Sequence, residues 1–337
     1  MVKKISMNYK SFFLSLIFII FSCQKEPELT KLSGPVFGTG YNIQYFSENG
    51  TDYQGDINRL FGEINQSLST YQDDSDISKL NRNEIDEVDA HFKKVFEASK
   101  KIYRETEGAF DPTIGNVVNA WNFGAETNKF ETDSTTIDSL MRYVGFNRIG
   151  FRDGKIKKQN TSIYLEFNAI AKGYGIDVIA DFLESEGIKN YLVEIGGEIR
   201  TKGINLKKQS NWKVGVQRPR FDGVQDPNDY QIAISLENES MATSGSYRKF
   251  KIDENGNRYT HIINTKTGYP SKTNIFSVSV IAPNAMLADG YATAFKTMGI
   301  EKVKNFLEKH PELKVYFIYE KEDQTIETLS LNGFPES

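Results

Sequence analysis

Strand-like and helix-like segments fall into separate groups along this chain, and that segregation narrows its folds more than any other feature. Val36 to Phe46 reads as a strand opening with Gly38-Thr39-Gly40-Tyr41. Ile57, Leu60, Phe61, Ile64 and Leu68 then recur at helical spacing behind a capping Asp56. Phe92, Val95, Phe96, Ser99, Ile102 and Tyr103 mark a second amphipathic helix between Asp89 and Gly108. A short helix carries Val117, Val118 and Trp121, Ile156 to Phe167 reads as a hairpin, and Ala171 to Glu186 reads as a helix ended by Gly187. Strands follow at Tyr191 to Ile195, Trp212 to Val216, Gln231 to Leu236, Tyr247 to Ile252 and Ile275 to Ile281. A helix lies within Pro283 to Met298, another runs from Glu301 to Lys309, and Val315 to Tyr319 is a last strand. Asp73 to Asp76 and residues 125–135 are polar and read as surface loops. Hairpin-connected strands beside grouped helices favour an α+β fold over a doubly wound parallel sheet. No linker interrupts the pattern, which points to one unit with two lobes.

Net charge is −4 over 337 residues, which gives no basic footprint for nucleic acid. Lys3, Lys4 and Lys10 precede an apolar run, Phe12 to Phe21, that is broken only by Ser15 and is too short to span a bilayer as a helix. It ends at Ser22-Cys23, and Cys23 is the only cysteine. This is the pattern of a bacterial lipoprotein signal over residues 1–22, with Cys23 as the lipidated N-terminus. A polar tether over residues 23–31 and a domain over 32–337 would follow, facing the periplasm from a membrane surface. An ordinary cleaved signal or a short core helix is the plainer alternative.

No zinc pattern exists: His91, His261 and His310 are the only histidines, and none sits beside a second ligand at helical spacing. The chain has no GxSxG elbow, Walker loop or GxGxxG fingerprint. Asp289-Gly290-Tyr291-Ala292-Thr293 puts a carboxylate and a hydroxyl on one helix face. With a backbone carbonyl and a diphosphate, such a pair satisfies the oxygen demand of Mg²⁺; alone it reads first as a solvated helix face. Asn168-Ala169-Ile170-Ala171-Lys172-Gly173 ends a strand and opens a helix, a place where phosphate can sit or a tight turn can pack. Ile195-Gly196-Gly197-Glu198 lets a ligand approach the backbone or simply turns the chain. Thr243-Ser244-Gly245-Ser246 reads as a hydroxyl-rich turn, and a lone His261 as a structural residue.

Taken in order, Gly38-Thr39, Ser69-Thr70-Tyr71, Gly108 through Thr113, Ala169 through Gly173, Gly196-Gly197-Glu198, Thr243 through Tyr247, His261 through Asn264 and Ala288 through Thr293 resemble the FAD:protein FMN transferase family, also called ApbE. The resemblance runs over roughly residues 32 to 320. It implies an α+β fold of two lobes, with mixed or antiparallel sheets, flanking helices and an FAD cleft between the lobes. It implies Mg²⁺ held by the backbone oxygen of Ala171 and the side chains of Asp289 and Thr293. By the same resemblance Phe37 contacts FAD, Tyr71 stacks near the flavin or adenine, and Ala109, Phe110 and Asp111 line the nucleotide. Asn168, Lys172 and Ile263 fall at or beside further cofactor contacts, Lys172 as an optional partner of the diphosphate. His261 is the candidate base. The chain departs from the family pattern at Asn264-Thr265, where Asp-Pro is usual, and at Glu166, where Asp is usual.

The activity so implied is Mg²⁺-dependent transfer of FMN from FAD to a Ser or Thr hydroxyl of a flavoprotein, with AMP leaving. Subunits of ion-translocating NADH:quinone reductases and related electron-transfer proteins are the implied acceptors. Two alternatives use the same residues: an FAD pyrophosphatase giving FMN and AMP, and a non-enzymatic flavin-binding lipoprotein.

Overall fold

A computed structural model describes residues 26–126, 133–220, 229–245, 250–252, 258–271 and 273–336. The apolar run, Cys23, Ser246 and Tyr247 lie outside the described residues. Among the described residues no helix is long and apolar enough to cross a membrane.

The chain opens with the hairpin β1 (Glu28–Val36) and β2 (Thr39–Ser47), then runs through α1 (Gln54–Leu68), α2 (Asp76–Asn81) and α3 (Ala90–Glu105). A 3₁₀ turn, Pro112–Ile114, leads into α4 (Gly115–Ala120), and α5 (Ser134–Met141) precedes the small hairpin β3 (Ile149–Arg152) and β4 (Lys155–Lys158). Helix α6 (Ala171–Ser185) feeds β5 (Tyr191–Ile195), β6 (Glu198–Lys202), β7 (Ile204–Asn205), β8 (Ser210–Gln217), β9 (Tyr230–Leu236) and β10 (Ser240–Gly245). The hairpin β11 (Phe250–Ile252) and β12 (Arg258–Thr260) comes next, then β13 (Ile275–Ala282), α7 (Ala285–Met298), α8 (Ile300–Leu307), β14 (Lys314–Glu320) and β15 (Ile326–Leu331).

Eight strands form one sheet in the order β1-β2-β5-β6-β10-β13-β14-β15. Every neighbouring pair in it is antiparallel. The sheet is covered on both faces, and because successive strand side chains point to opposite faces, its strands feed two cores. In β14, Val315 and Phe317 join the helical side of the core, while Tyr316 and Ile318 pack with Trp212, Val214 and Val216 of the three-stranded sheet β7-β8-β9. The helical side is built by amphipathic segments. Asp89 caps α3 by accepting from Phe92 N (2.8 Å), and Phe92, Val95, Phe96 and Ile102 are all buried. Each such side chain contributes about 1.5–3 kcal/mol by leaving water. The fold is α+β, as the segregated pattern implies.

Several local expectations change. The first strand begins at Glu28, inside the stretch expected to be tether, because Glu28 to Lys31 pair with Gln44 to Ser47. The hairpin expected over Ile156 to Phe167 lies earlier, at β3 and β4, with a two-residue turn of Asp153 (φ 52°) and Gly154 (φ 78°). Thr243-Ser244-Gly245 is not a turn but the end of β10, mid-sheet, where Thr243 and Ser279 hydroxyls meet at 2.7 Å. Asp76 opens the helix α2 rather than lying in a loop, since Ser75 caps it by accepting from Ser78 N (3.2 Å). Residues 133–135 belong to the start of α5, where Asp133 caps the helix by accepting from Thr136 N (2.7 Å).

Candidate active site

Turns and helix starts converge on one cavity of about 660 Å³, within the ordinary size of a small-molecule site. Phe37 and Gly38 are the two central residues of the β1–β2 turn, with φ of 48° and 72°, the conformation that a two-residue hairpin of this twist requires. A phenylalanine in that left-handed region carries backbone strain. Its ring packs edge-on against Phe61 at 5.5 Å and borders the cavity.

Helices α6 and α7 make the floor. Gly173 lets them touch: a Cβ there would come within 2.2 Å of the Ala285 carbonyl oxygen and 2.9 Å of Asp289 Cβ. The two helices cap each other. Asp177 of α6 accepts from Ala285 N (3.0 Å) and Met286 N (2.9 Å) at the start of α7, and from Arg200 Nη1 (2.9 Å). Asp289 of α7 accepts from Gly173 N (3.0 Å) at the start of α6. Carboxylates are favoured at these positive helix ends. Asp289 is buried, and Thr293 follows one turn later; both line the cavity. Ala171 is the first residue of α6, between the lining residues Ala169 and Lys172.

The remaining expected residues sit in the same walls. Ala109, Phe110 and Asp111 form one, and Asp111 spends its carboxylate on the loop itself: Oδ1 accepts from Thr113 N (2.9 Å) and Thr113 Oγ1 (2.6 Å), Oδ2 from Phe146 N (3.3 Å). Thr297 Oγ1 donates to Ala109 O (3.1 Å), which ties this wall to α7. Tyr71 stands at the rim with 64% of its surface exposed, more than a core aromatic leaves to water. Asn168, His261 and Ile263 complete the set. All three histidines have neighbours: His261 meets Phe123 edge-on at 6.4 Å, His91 meets Tyr174 Oη at 2.7 Å, and His310 stacks on Phe306 at 4.1 Å. Asn264, where the family pattern has Asp, accepts from Lys266 N (2.9 Å) and shapes the turn behind Ile263.

Three cavity carboxylates were not expected as site residues, Glu166, Glu194 and Glu198, of which Glu194 accepts from Gly197 N (2.7 Å) and Asn42 Nδ2 (2.7 Å). Glu166 accepts from Asn168 Nδ2 (2.9 Å), and burial pushes its carboxyl up to about 7 against that hydrogen bond. Glu198, the first residue of β6, is buried with Oε1 2.6 Å from Lys172 Nζ, and its Oε2 has no hydrogen-bond partner among the described residues. Burial raises the Glu198 carboxyl, Lys172 opposes the rise and Asp289 adds to it. Burial likewise raises Asp289, opposed by Lys172 and by the Gly173 N–H. The glycine pair before Glu198 and the acid before Asn168 were the available signals, and both were legible only as turn or departure.

The donor set fits a hard divalent ion that shares its sphere with phosphate. It offers one buried carboxylate and one hydroxyl at the cavity, both oxygen, while Ala171, the expected carbonyl donor, sits in the chain between two lining residues without lining the cavity itself. Among the described residues no group of three or more His, Cys, Asp or Glu gathers as a self-sufficient metal cage, so water and a ligand's phosphates would have to supply the rest.

The chain matches the ApbE family over residues 37–317. It is 37% identical over 303 residues to the FAD:protein FMN transferase of Vibrio cholerae serotype O1, covering 86% of this chain and 87% of that protein. It is 35% identical over 327 residues to the FAD:protein FMN transferase of Haemophilus influenzae, covering 93% and 92%. The solved flavin transferase ApbE from Vibrio cholerae superposes with a TM-score of 0.81 at 34% identity, over 90% of this chain and 97% of that one. The apo flavinyl transferase ApbE from Pseudomonas stutzeri does so with a TM-score of 0.78 at 26% identity, over 90% and 95%. A shared fold, a match over most of the chain and relatives above 30% identity place this protein in the ApbE family.

Proposed function

We propose that this chain is a transferase that moves the FMN half of FAD onto a Ser or Thr hydroxyl of another protein. The hydroxyl oxygen bonds to the phosphorus nearer the riboflavin, the P–O bond to the AMP phosphate breaks, and the hydroxyl proton passes to a base. The observation that carries the reading is the convergence of Asp289, Thr293 and the α6 start on the same cavity as the Ala109–Asp111 wall and the exposed Tyr71. Tyr71 and Phe37 offer aromatic faces to the dinucleotide's rings. Lys172 and the α6 N-terminus offer positive charge to its phosphates. Held by the Ala171 carbonyl, Asp289 and Thr293, Mg²⁺ supplies neutralisation of the diphosphate when bound. His261 is the cavity's histidine and the candidate to take the hydroxyl proton. Positioning and charge neutralisation supply most of the acceleration in such transfers.

The decisive assay incubates the protein with FAD, Mg²⁺ and a flavoprotein subunit of the kind found in ion-translocating NADH:quinone reductases. Covalent FMN on the acceptor with matching AMP supports transfer. FMN and AMP released at the same rate without acceptor would make it a pyrophosphatase, and FAD bound without turnover would make it a carrier. The proposal includes a lipid anchor on Cys23 at the periplasmic side of a bacterial membrane. Cys23→Ala should then shift the protein from the membrane to the soluble fraction, and an unchanged distribution would remove the anchor from the account.

A further inference from the structure

We propose that Glu198 is a positioning residue that holds the Lys172 ammonium clear of Asp289, leaving Asp289 to take a divalent cation beside the phosphates. The inference rests on the transferase reading and concerns the same cavity.

Glu198 reaches its place through a tight turn. Gly196 and Gly197 have φ of 63° and 107°, and a Cβ on Gly196 would sit 2.9 Å from Thr39 Cγ2. The turn therefore passes close to Thr39 at the start of β2, and Glu198, the first residue of β6, follows it as a buried side chain. There Glu198 Oε1 lies 2.6 Å from Lys172 Nζ, and Oε2 has no hydrogen-bond partner among the described residues. A buried ion pair stabilises a fold only when its remaining hydrogen-bonding capacity is met. The Arg200–Asp177 pair meets that condition, since both Asp177 oxygens also accept backbone N–H groups. The Lys172–Glu198 pair does not, so fold stability alone is a poor account of it.

Position explains it better. Lys172 is the residue after the expected carbonyl ligand, and its charge acts on both Glu198 and Asp289. An ammonium close to a carboxylate competes with a divalent cation for the same oxygens, most strongly where water is scarce. Glu198 supplies the rival carboxylate. With its charge removed, Lys172 turns to Asp289, and the cation has to displace it.

The test is a Mg²⁺ titration of FAD binding, followed by flavin fluorescence, on the full chain and two variants. Glu198→Gln keeps the shape of the side chain and should raise the Mg²⁺ concentration for half-maximal FAD binding by about tenfold or more, the scale of groups that orient a metal ligand. Adding Lys172→Met removes the competitor. The double variant also loses a charge offered to the phosphates, so its FAD affinity at saturating Mg²⁺ should fall, but its half-maximal Mg²⁺ concentration should return to within about threefold of the parent, the non-additivity expected of coupled neighbours. An unchanged Mg²⁺ requirement in Glu198→Gln overturns the inference. So does a double variant as impaired as the single one, because Glu198 would then act on the fold rather than through Lys172. A parent protein whose FAD binding ignores Mg²⁺ overturns the reading of the site itself, and this inference falls with it.

Discussion

The two ends of the α6–α7 pair carry similar carboxylates with different duties. At one end Asp177 accepts from two backbone N–H groups of α7 and from Arg200, so its charge is matched. At the other, Asp289 spends Oδ2 on the Gly173 N–H and lies against the cavity with Thr293, Lys172 and Glu198. Burial raises both groups above the usual carboxylate range, so burial does not tell them apart. What differs is where the surplus capacity points. A carboxylate whose partners are all protein is a clamp; one that lines a cavity beside a lysine is available to a ligand.

The comparison is broken most directly at Asp177. Asp177→Ala leaves the Ala285 and Met286 N–H groups at the start of α7 without their acceptor and strips one anion from Arg200, which keeps Asp181 and Glu184, so the expected loss is about 3 kcal/mol of stability, read by denaturant unfolding. Gly173→Ala separates the helices and should cost about 1–3 kcal/mol in the same measurement, with weaker FAD binding. A variant as stable as the parent would mean the helices are not held by that contact. Tyr71→Ala sharpens the contrast from the rim. It should weaken FAD binding about fivefold, roughly 1 kcal/mol for a lost aromatic pair, and leave the unfolding midpoint in place because the ring is exposed. A lowered midpoint with unchanged binding would make Tyr71 a core residue instead.

The smallest effect is a pH dependence at Glu166. Its folded carboxyl is raised from 4.5 to about 7, so the folded state favours the protonated form. The stability this contributes is present below the unfolded value and is lost as pH rises through the folded one. Glu166→Gln should therefore raise the thermal midpoint at about pH 8 and change it little at about pH 4. Equal shifts at both would show that the carboxyl titrates as it does in water.

The helices were legible because their apolar residues recur every three or four positions, as in α3 behind its Asp89 cap, although α3 closes at Thr106 rather than Gly108 and Asp56 lies inside the first turn of α1 rather than capping it. The α+β class followed from segregation alone. Strand β10 was not legible, because Thr243, Ser244 and Gly245 have turn chemistry and hold mid-sheet places only through their neighbours. Strand β1 was hidden by a polar composition that suits a tether, and its pairing partner lies across a turn that places Phe37 at positive φ. The individual site motifs were each ordinary, and their order along the chain carried the family resemblance. Glu198 escaped because its meaning depends on Lys172, a residue brought to it by the α6 start rather than by sequence distance.

The central claim is that Asp289, beyond its one hydrogen bond to the α6 start, serves the ligand. Its most direct test follows the mass of an acceptor protein incubated with FAD, Mg²⁺ and the Asp289→Asn variant. We expect FMN attachment to fall by about a hundredfold or more, a loss on the scale of a removed electrostatic stabiliser, while the variant unfolds close to the parent's midpoint. Attachment at the parent's rate would contradict the account.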